Sequence, residues 1–259
     1  LGNVVFGGKG INVSLMLRAL ETPSAALGFI AGFTGEAIRA GVEVQGAGHG
    51  FVALESGFSR INVKLHAGEE TEINGAGPEI PPEKLELFFQ KLQAMTDADT
   101  LVLSGSVPPS LPGDITRASR ALPGKKGRGD VVDAAGKLLL SALPYRPFLV
   151  KPNREELAAL LTRLPDDEAV LALAKRLQAQ GARHVLVSMA GDGALLCTES
   201  GEVYRVPAAK GTVVNSVGAG DSMVGGFLRR SENGDFQAAL ALGAAAGGAT
   251  AFSVGIAGF

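Results

Sequence analysis

One acid stands alone in the glycine-rich stretch NSVGAGDSMVGG (215–226): Asp221, directly after Gly218-Ala219-Gly220 and at the start of a helical pattern. Small residues before a helix start leave a nest of outward-facing amides, which suits an anion. An acid beside such a nest can take a proton from a hydroxyl while the amides steady the group that the hydroxyl attacks. That is an arrangement for phosphoryl transfer, in which protein contributes positioning and charge neutralisation. Asp221 as a plain helix-start carboxylate favoured by the dipole accounts for the acid but not for the small residues around it.

Other turns carry compatible groups. GGKGIN (7–12) places Lys9 between glycines just before a helix, where backbone amides and a mobile ammonium favour an anion. KPNREE (151–156) follows an apolar run and offers Lys151, Asn153 and Glu156. An amide and a carboxylate three residues apart suit a hydrated Mg²⁺ beside phosphates. They equally suit an N-cap with its capping-box partner. SMAGDGALL (188–196) turns through Gly191 and Gly193, and LSGSVPPS (103–110) is a strand end with a tight turn; each is open to a reading as ordinary turn chemistry. In open α/β sheets, though, ligands bind beyond the carboxyl ends of the strands, where these turns lie.

The elements that must position these groups alternate. Residues 10–20 and 82–95 have helical periodicity, with Pro82 suited to a first turn. Short apolar runs at 100–105, 130–133, 148–153 and 184–189 read as buried strands separated by helices, which predicts βαβ units and a mainly parallel sheet. Residues 51–74 break the pattern and predict an antiparallel hairpin, with Ile61, Val63 and Leu65 on one face and Arg60, Asn62 and Lys64 on the other. The polar face suits a phosphorylated polyol or simply solvent. The apolar face needs cover from the domain or a second subunit. The uncharged 236–259 stretch, with Gly243 and Gly247 in a GxxxG, reads as a buried helix against a sheet and not as a membrane span.

Composition narrows the classes. With 259 residues, 46% of them hydrophobic, the chain can bury a full core as one domain. A net charge of −2 gives no electrostatic case for nucleic acid. The single cysteine, Cys197, excludes an internal disulfide framework and points to the cytoplasm. There is no GxGxxG, no GxxxxGK[ST], no HExxH and no GxSxG, which sets aside dinucleotide, P-loop, zinc-hydrolase and serine-hydrolase readings.

GGKGIN and VGAGDSMVGGF resemble the two signatures of the ribokinase-like sugar kinases, the phosphofructokinase-B family, and between them a lid-like hairpin, SGSVPP, VVDAAG, KPNREEL and VSMAGDGALL follow in the family's order. The resemblance spans residues 3–255 and implies a ribokinase-like, Rossmann-type α/β sandwich with a small antiparallel β lid at about 50–75. It implies ATP- and Mg²⁺-dependent transfer to a sugar hydroxyl, with Asp221 as base and Gly218, Ala219 and Gly220 as anion hole. Gly8, Lys9, Asn12, Arg60 and Ser106 would hold the sugar phosphate. Lys151, Asn153, Glu156, Ser188, Gly191 and Gly193 would line the nucleotide side, with Asn153 and Glu156 toward Mg²⁺ through water. RINVKLHAGEETEINGAGPEI and TVVNSVGAGDSMVGGFL are most similar to the branch acting on fructose 1-phosphate at its 6-hydroxyl. Tagatose 6-phosphate and fructose 6-phosphate are the alternative acceptors, and a non-catalytic sugar-phosphate sensor is the alternative class. Lids of relatives pack across a dimer, so a homodimer is expected. Relatives also begin with a strand carrying a substrate-binding aspartate; nothing here matches it, so that strand is expected to be missing upstream of Leu1. Asn215-Ser216 replaces the widespread Asp-Thr, which points to substrate class.

Overall fold

Val131–Asp133 and His184–Ser188 are continuous apolar runs buried along nearly all their length, as strands covered on both faces must be. They lie at the centre of the computed structural model, which describes residues 4–67, 69–108, 111, 129–159 and 166–258. Gly68 of the hairpin turn and Pro109-Ser110 of the SGSVPPS turn fall outside the described residues.

Helix α1 (Lys9–Ala19) is followed by strands β1 (Ala25–Ala26) and β2 (Phe29–Ala31), helix α2 (Gly32–Val44), and strands β3 (Gly48–His49) and β4 (Val52–Leu54). β1 pairs with β3 and β2 with β4, both in parallel. Residues 52–54 therefore depart from the expected hairpin: they join a parallel pair because Val52 and Leu54 turn inward. The hairpin is β5 (Asn62–Ala67) and β6 (Glu69–Asn74), antiparallel, with Val63 opposite Ile73. Helix α3 (Pro82–Gln93) has its proline in the first turn, where a missing N–H costs nothing.

The main sheet follows. Strands β7 (Val102–Ser104), β8 (Val131–Asp133), β9 (Leu149–Val150) and β10 (His184–Ser188) are parallel neighbours, and β11 (Ala194–Cys197) and β12 (Val203–Val206) continue the sheet antiparallel. Between and after them run α4 (Gly136–Ala142), α5 (Arg154–Ala158), α6 (Asp167–Ala179), α7 (Ala219–Ser231) and α8 (Phe236–Ala251). Side chains alternate across the sheet. Val132, Val150, Val185, Val187 and Leu195 pack on one face with Leu139, Leu157, Val170 and Leu177 of α4, α5 and α6. Val131, Leu149, Leu186 and Leu196 pack on the other with Val13, Val224, Phe227 and Leu240 of α1, α7 and α8. Each such side chain contributes about 1.5–3 kcal/mol on burial. The fold is a three-layer α/β sandwich with a mixed, largely parallel sheet.

Helix α8 packs first on α7, and along its flank on β11 and β12. The glycines make this close: a Cβ at Gly226 would stand 2.7 Å from the Leu242 carbonyl, and one at Gly247 would stand 2.9 Å from the Ala219 carbonyl. The GxxxG thus seats a helix on a helix more than on the sheet, and it fixes the first turn of α7. Among the described residues no helix is long and apolar enough to cross a membrane.

Candidate active site

Asp221 sits in the first turn of α7 and is 5% exposed. Gly218 precedes the helix in the left-handed region, φ 82°, and a Cβ there would stand 2.5 Å from Ile256 Cδ1, so both conformation and space call for glycine. The Ser222 N–H bonds back to the Gly218 carbonyl at 2.8 Å. The amides before it have no acceptor inside the helix. That of Ala219 donates to the Ser216 carbonyl at 3.2 Å. Within the Gly218-Ala219-Gly220 set, the Gly220 N–H is thus better placed than that of Ala219 to meet an anion.

Around Asp221 the structure gathers residues from three other segments. Asn12 of α1 is buried and donates from Nδ2 to Asp221 Oδ2 at 2.7 Å. Lys9 and Lys151 each place Nζ 3.2 Å from the same oxygen, Oδ1 of Asp133 at the end of β8. Lys151 is buried, and its ammonium lies against Gly220, where a Cβ would come within 3.1 Å. Gly220 is therefore small because a cation occupies the space beside it. Gly8 caps α1, with its carbonyl accepting from Asn12 N at 2.9 Å.

The electrostatics follow from this packing. Burial pushes the Asp221 carboxyl up to about 6; the Asn12 bond opposes that, Asp133 adds to it, and Lys9 and Lys151 oppose it. Burial works against charge on Lys9, yet Asp133, with Asp221 and Glu156 in its field, outweighs it and raises its pKa. A carboxylate poised near 6, beside ammonium groups and helix-start amides, can exchange a proton near neutral pH.

On the other flank Asn153 caps α5. Its Oδ1 accepts from Glu156 N at 2.6 Å, and Glu156 Oε2 accepts from Asn153 N at 2.9 Å, a complete capping box. Asn153 also bridges to Ser188 at the end of β10, bringing two of the expected nucleotide-side segments together. Gly191 and Gly193 lie in the turn between β10 and β11; at Gly193, φ 89°, a Cβ would stand 2.0 Å from the Val206 carbonyl. They shape a tight hairpin at the carboxyl end of β10.

Two expected residues stand apart. Arg60 is exposed at the base of the hairpin, beside Gly75 and Gly77, and makes no ion pair among the described residues. Ser106 is exposed just past Gly105, which bonds to the Asp133 carbonyl and backs onto Lys9. Asp133 itself is the residue that sequence reasoning missed: fully buried, bridging two lysines, with Oδ2 lacking a partner. A lone acid ending a buried strand was the available signal. Among the described residues no three His, Cys, Asp or Glu side chains converge as a metal cage. Asp133 Oδ2 and Glu156 fit instead a cation held mainly by water and phosphate oxygens. A cavity of about 700 Å³ lies elsewhere, between β1 and β7 and lined by apolar groups such as Leu27, Phe88 and Leu103. Asp221, Asp133 and Lys151 do not line it.

Comparison with known proteins places this geometry. The pfkB family carbohydrate kinase model matches residues 2–258. The chain is 45% identical over 249 residues to the 1-phosphofructokinase of Bacillus subtilis, covering 95% of this chain and 82% of that one. It is 35% identical over 252 residues to the D-tagatose-1-phosphate kinase of Bacillus licheniformis, covering 96% and 82%. The structure of phosphofructokinase-2 from Escherichia coli in complex with substrates and products superposes with a TM-score of 0.87 at 28% identity, covering 95% of this chain and 82% of that one.

Proposed function

The chain belongs to the pfkB family of carbohydrate kinases, and from that premise we propose that it transfers the γ-phosphoryl group of ATP to the 6-hydroxyl of fructose 1-phosphate, giving fructose 1,6-bisphosphate and ADP. The observation that carries the mechanism is Asp221 itself: a buried carboxylate at a helix start, held by Asn12 and faced by lysines. Asp221 accepts the proton of the acceptor hydroxyl as its oxygen bonds to phosphorus and the bond to the β-phosphate oxygen breaks, the electron pair leaving with ADP. The Gly220 N–H and the α7 dipole meet the charge on the transferring group. Lys9, with the GGKGIN backbone, faces the acceptor side. Lys151, against Gly220, faces the phosphates. Mg²⁺ would neutralise the nucleotide phosphates; Asp133 and Glu156, with Asn153, are the residues that would hold it, partly through water.

The acceptor reading rests on the similarity to the Bacillus subtilis and other 1-phosphofructokinases. The Bacillus licheniformis relative makes tagatose 1-phosphate the acceptor to set beside it. A sensor on the same fold has no use for a base with a raised pKa. Arg60 and Ser106 belong to the sugar-phosphate side in this reading, Gly191 and Gly193 to the nucleotide side, and the exposed Ile61, Val63 and Ile73 of the lid to a homodimer contact. A cytoplasmic setting agrees with the free, buried Cys197.

The test is a coupled ADP-release assay with ATP and Mg²⁺ on fructose 1-phosphate, tagatose 1-phosphate, fructose 6-phosphate and tagatose 6-phosphate. Preference for fructose 1-phosphate is the expected result, with Asp221→Asn lowering kcat roughly 10²–10⁴-fold and leaving KM nearly unchanged. Full activity in Asp221→Asn would remove the base; preference for another acceptor would replace the substrate.

A further inference from the structure

Asn12 is expected on the sugar-phosphate side, and in the fold one N–H of its amide is already engaged with the carboxylate of Asp221. It is 8% exposed, and its Nδ2 is 2.7 Å from Asp221 Oδ2, a contact between α1 and α7 that spans 209 residues of sequence. The carboxamide lies beside two glycines: a Cβ at Gly7 would meet its Oδ1 at 3.0 Å, a tight contact, and one at Gly218 would meet its Nδ2 at 3.4 Å, an ordinary one. Its backbone N–H is used by Gly8. An ionised carboxylate only accepts hydrogen bonds, so the amide must present its NH₂ group and not its carbonyl.

We propose that Asn12 is a positioning residue for the base: it clamps Oδ2 of Asp221 so that Oδ1 faces the acceptor hydroxyl, and it favours the ionised form that can take the proton. This rests on the reading of Asp221 as base. Among the described residues, four side chains act most strongly on Asp221. Asn12 comes from α1, Lys9 from the same helix, Asp133 from the end of β8, and Lys151 from the turn after β9. Of these only Asn12 bonds to the carboxylate directly, while the lysines are drawn to Asp133. Asn12 is thus the group that works most directly against the burial that raises the Asp221 pKa. Gly7 gains a reason as well: a Cβ there would press on the amide oxygen of Asn12 at 3.0 Å.

Removing a hydrogen bond to a charged acceptor corresponds to a pKa rise of roughly one to two units. Asn12→Ala is therefore expected to move the acid limb of the kcat/KM profile up by about one to two pH units. At pH 7 the loss in kcat should be roughly two- to tenfold from the ionised fraction alone, recovering by about pH 9, with KM for the sugar phosphate changed less than twofold. Asn12→Ser, which keeps a shorter donor, should fall between the two. The same shift should appear without turnover, in a ¹³C titration of the Asp221 carboxyl of the free protein. That second readout separates the two claims. Full activity in Asp221→Asn defeats the assignment of the base and not the Asn12 contact, which the ¹³C titration of the Asp221 carboxyl still reads. An Asn12→Ala protein whose acid limb and ¹³C titration stay in place while KM rises tenfold or more defeats the clamp and returns Asn12 to the sugar. If Asn12→Ala does not fold, Asn12→Ser is read by the same criteria.

Discussion

Asp133 Oδ1 stands 3.2 Å from the ammonium of Lys151, and both side chains are almost wholly out of water, 1% and 5% exposed. Lys9 reaches the same oxygen but keeps 39% of its side chain exposed. The two lysines therefore depend on Asp133 unequally. Asp133→Asn leaves the buried Lys151 without its ion-pair partner, which costs about 3 kcal/mol. Tm should fall by roughly 6–12 °C, and KM for ATP should rise more than KM for the sugar phosphate. Adding Lys151→Met should restore most of the stability and none of the ATP affinity. A double variant as unstable as the single one would show that the pair is not the source of the effect.

Gly247 governs the site at one remove. Its Cα lies over the Ala219 carbonyl, so Gly247→Ala brings a methyl to 2.9 Å of the first turn of α7. Gly226→Ala crowds the same helix pair farther from the base, at 2.7 Å from the Leu242 carbonyl. Overpacking of this kind costs about 1–3 kcal/mol in each case. Both variants should lose stability, while only Gly247→Ala should lose more than about fivefold in kcat, because near-attack geometry tolerates little displacement. Equal kcat in the two would disconnect the α7–α8 contact from catalysis.

The hairpin carries an exposed apolar face: Ile61, Val63 and Ile73 are 60%, 41% and 57% exposed, and Val63 and Ile73 are cross-strand neighbours. Covered by a second copy of the same hairpin, this face should make the protein a dimer in light scattering, and Val63→Glu/Ile73→Glu should make it a monomer. A monomeric wild-type protein at micromolar concentration would mean that the face has some other cover.

How much of this was legible in the sequence differs from residue to residue. The alternation of Val131 with Val132 and of Leu186 with Val185 and Val187 is written directly in apolar runs too short for helices, so the layered sheet could be read. Asp221 could be singled out because the helix-start reading accounts for the acid but not for the small, uncharged residues around it, and the fold buries it beside Asn12. Asp133 offered only the signal of a lone acid ending a buried strand, because its partners are Lys9, 124 residues away, and a lysine beyond the next strand. The parallel pairs β1–β3 and β2–β4 have strands of two or three residues, too short to show a period. The bond of Asn12 to Asp221 is not legible in GGKGIN, because its partner stands on another helix 209 residues away.

Asp221 should make the folded protein less stable while making it active. Its pKa is about 6 in the fold and about 3.9 in an unfolded chain, so folding favours the protonated form. Below pH ~4 both states are protonated and there is no penalty; it grows as pH rises toward 6 and is complete above that. Its size at pH 7 is at most about 3 kcal/mol. Asp221→Asn should therefore raise stability at pH 7 by about 1–3 kcal/mol and change it little at pH 4. Denaturant melts at the two pH values measure this, and a destabilised variant at pH 7 would contradict the direction of the shift.

His184 should slope the other way in the same window. It opens β10 and packs against two rings, 4.8 Å from Phe148 and 4.4 Å from Phe236 by centroid, while its Nδ1 accepts the Glu199 N–H at 3.2 Å. An Nδ1 that accepts belongs to a neutral ring. Burial, with the positive charge of Arg183 adding and Glu199 opposing, pushes the imidazole down to about 4, against about 6.5 unfolded. Above pH 6.5 neither state is charged and the native packing is intact. As pH falls toward 4 the unfolded chain takes up a proton that the fold refuses, and stability drops by about 1–3 kcal/mol once solvent screening is allowed for. His184→Asn keeps an acceptor near the Nδ1 position and removes the titration, so its stability at pH 7 should be lower but its decline between pH 6.5 and 4.5 shallower than in the parent. A decline as steep as the parent's would place the acid sensitivity in another group.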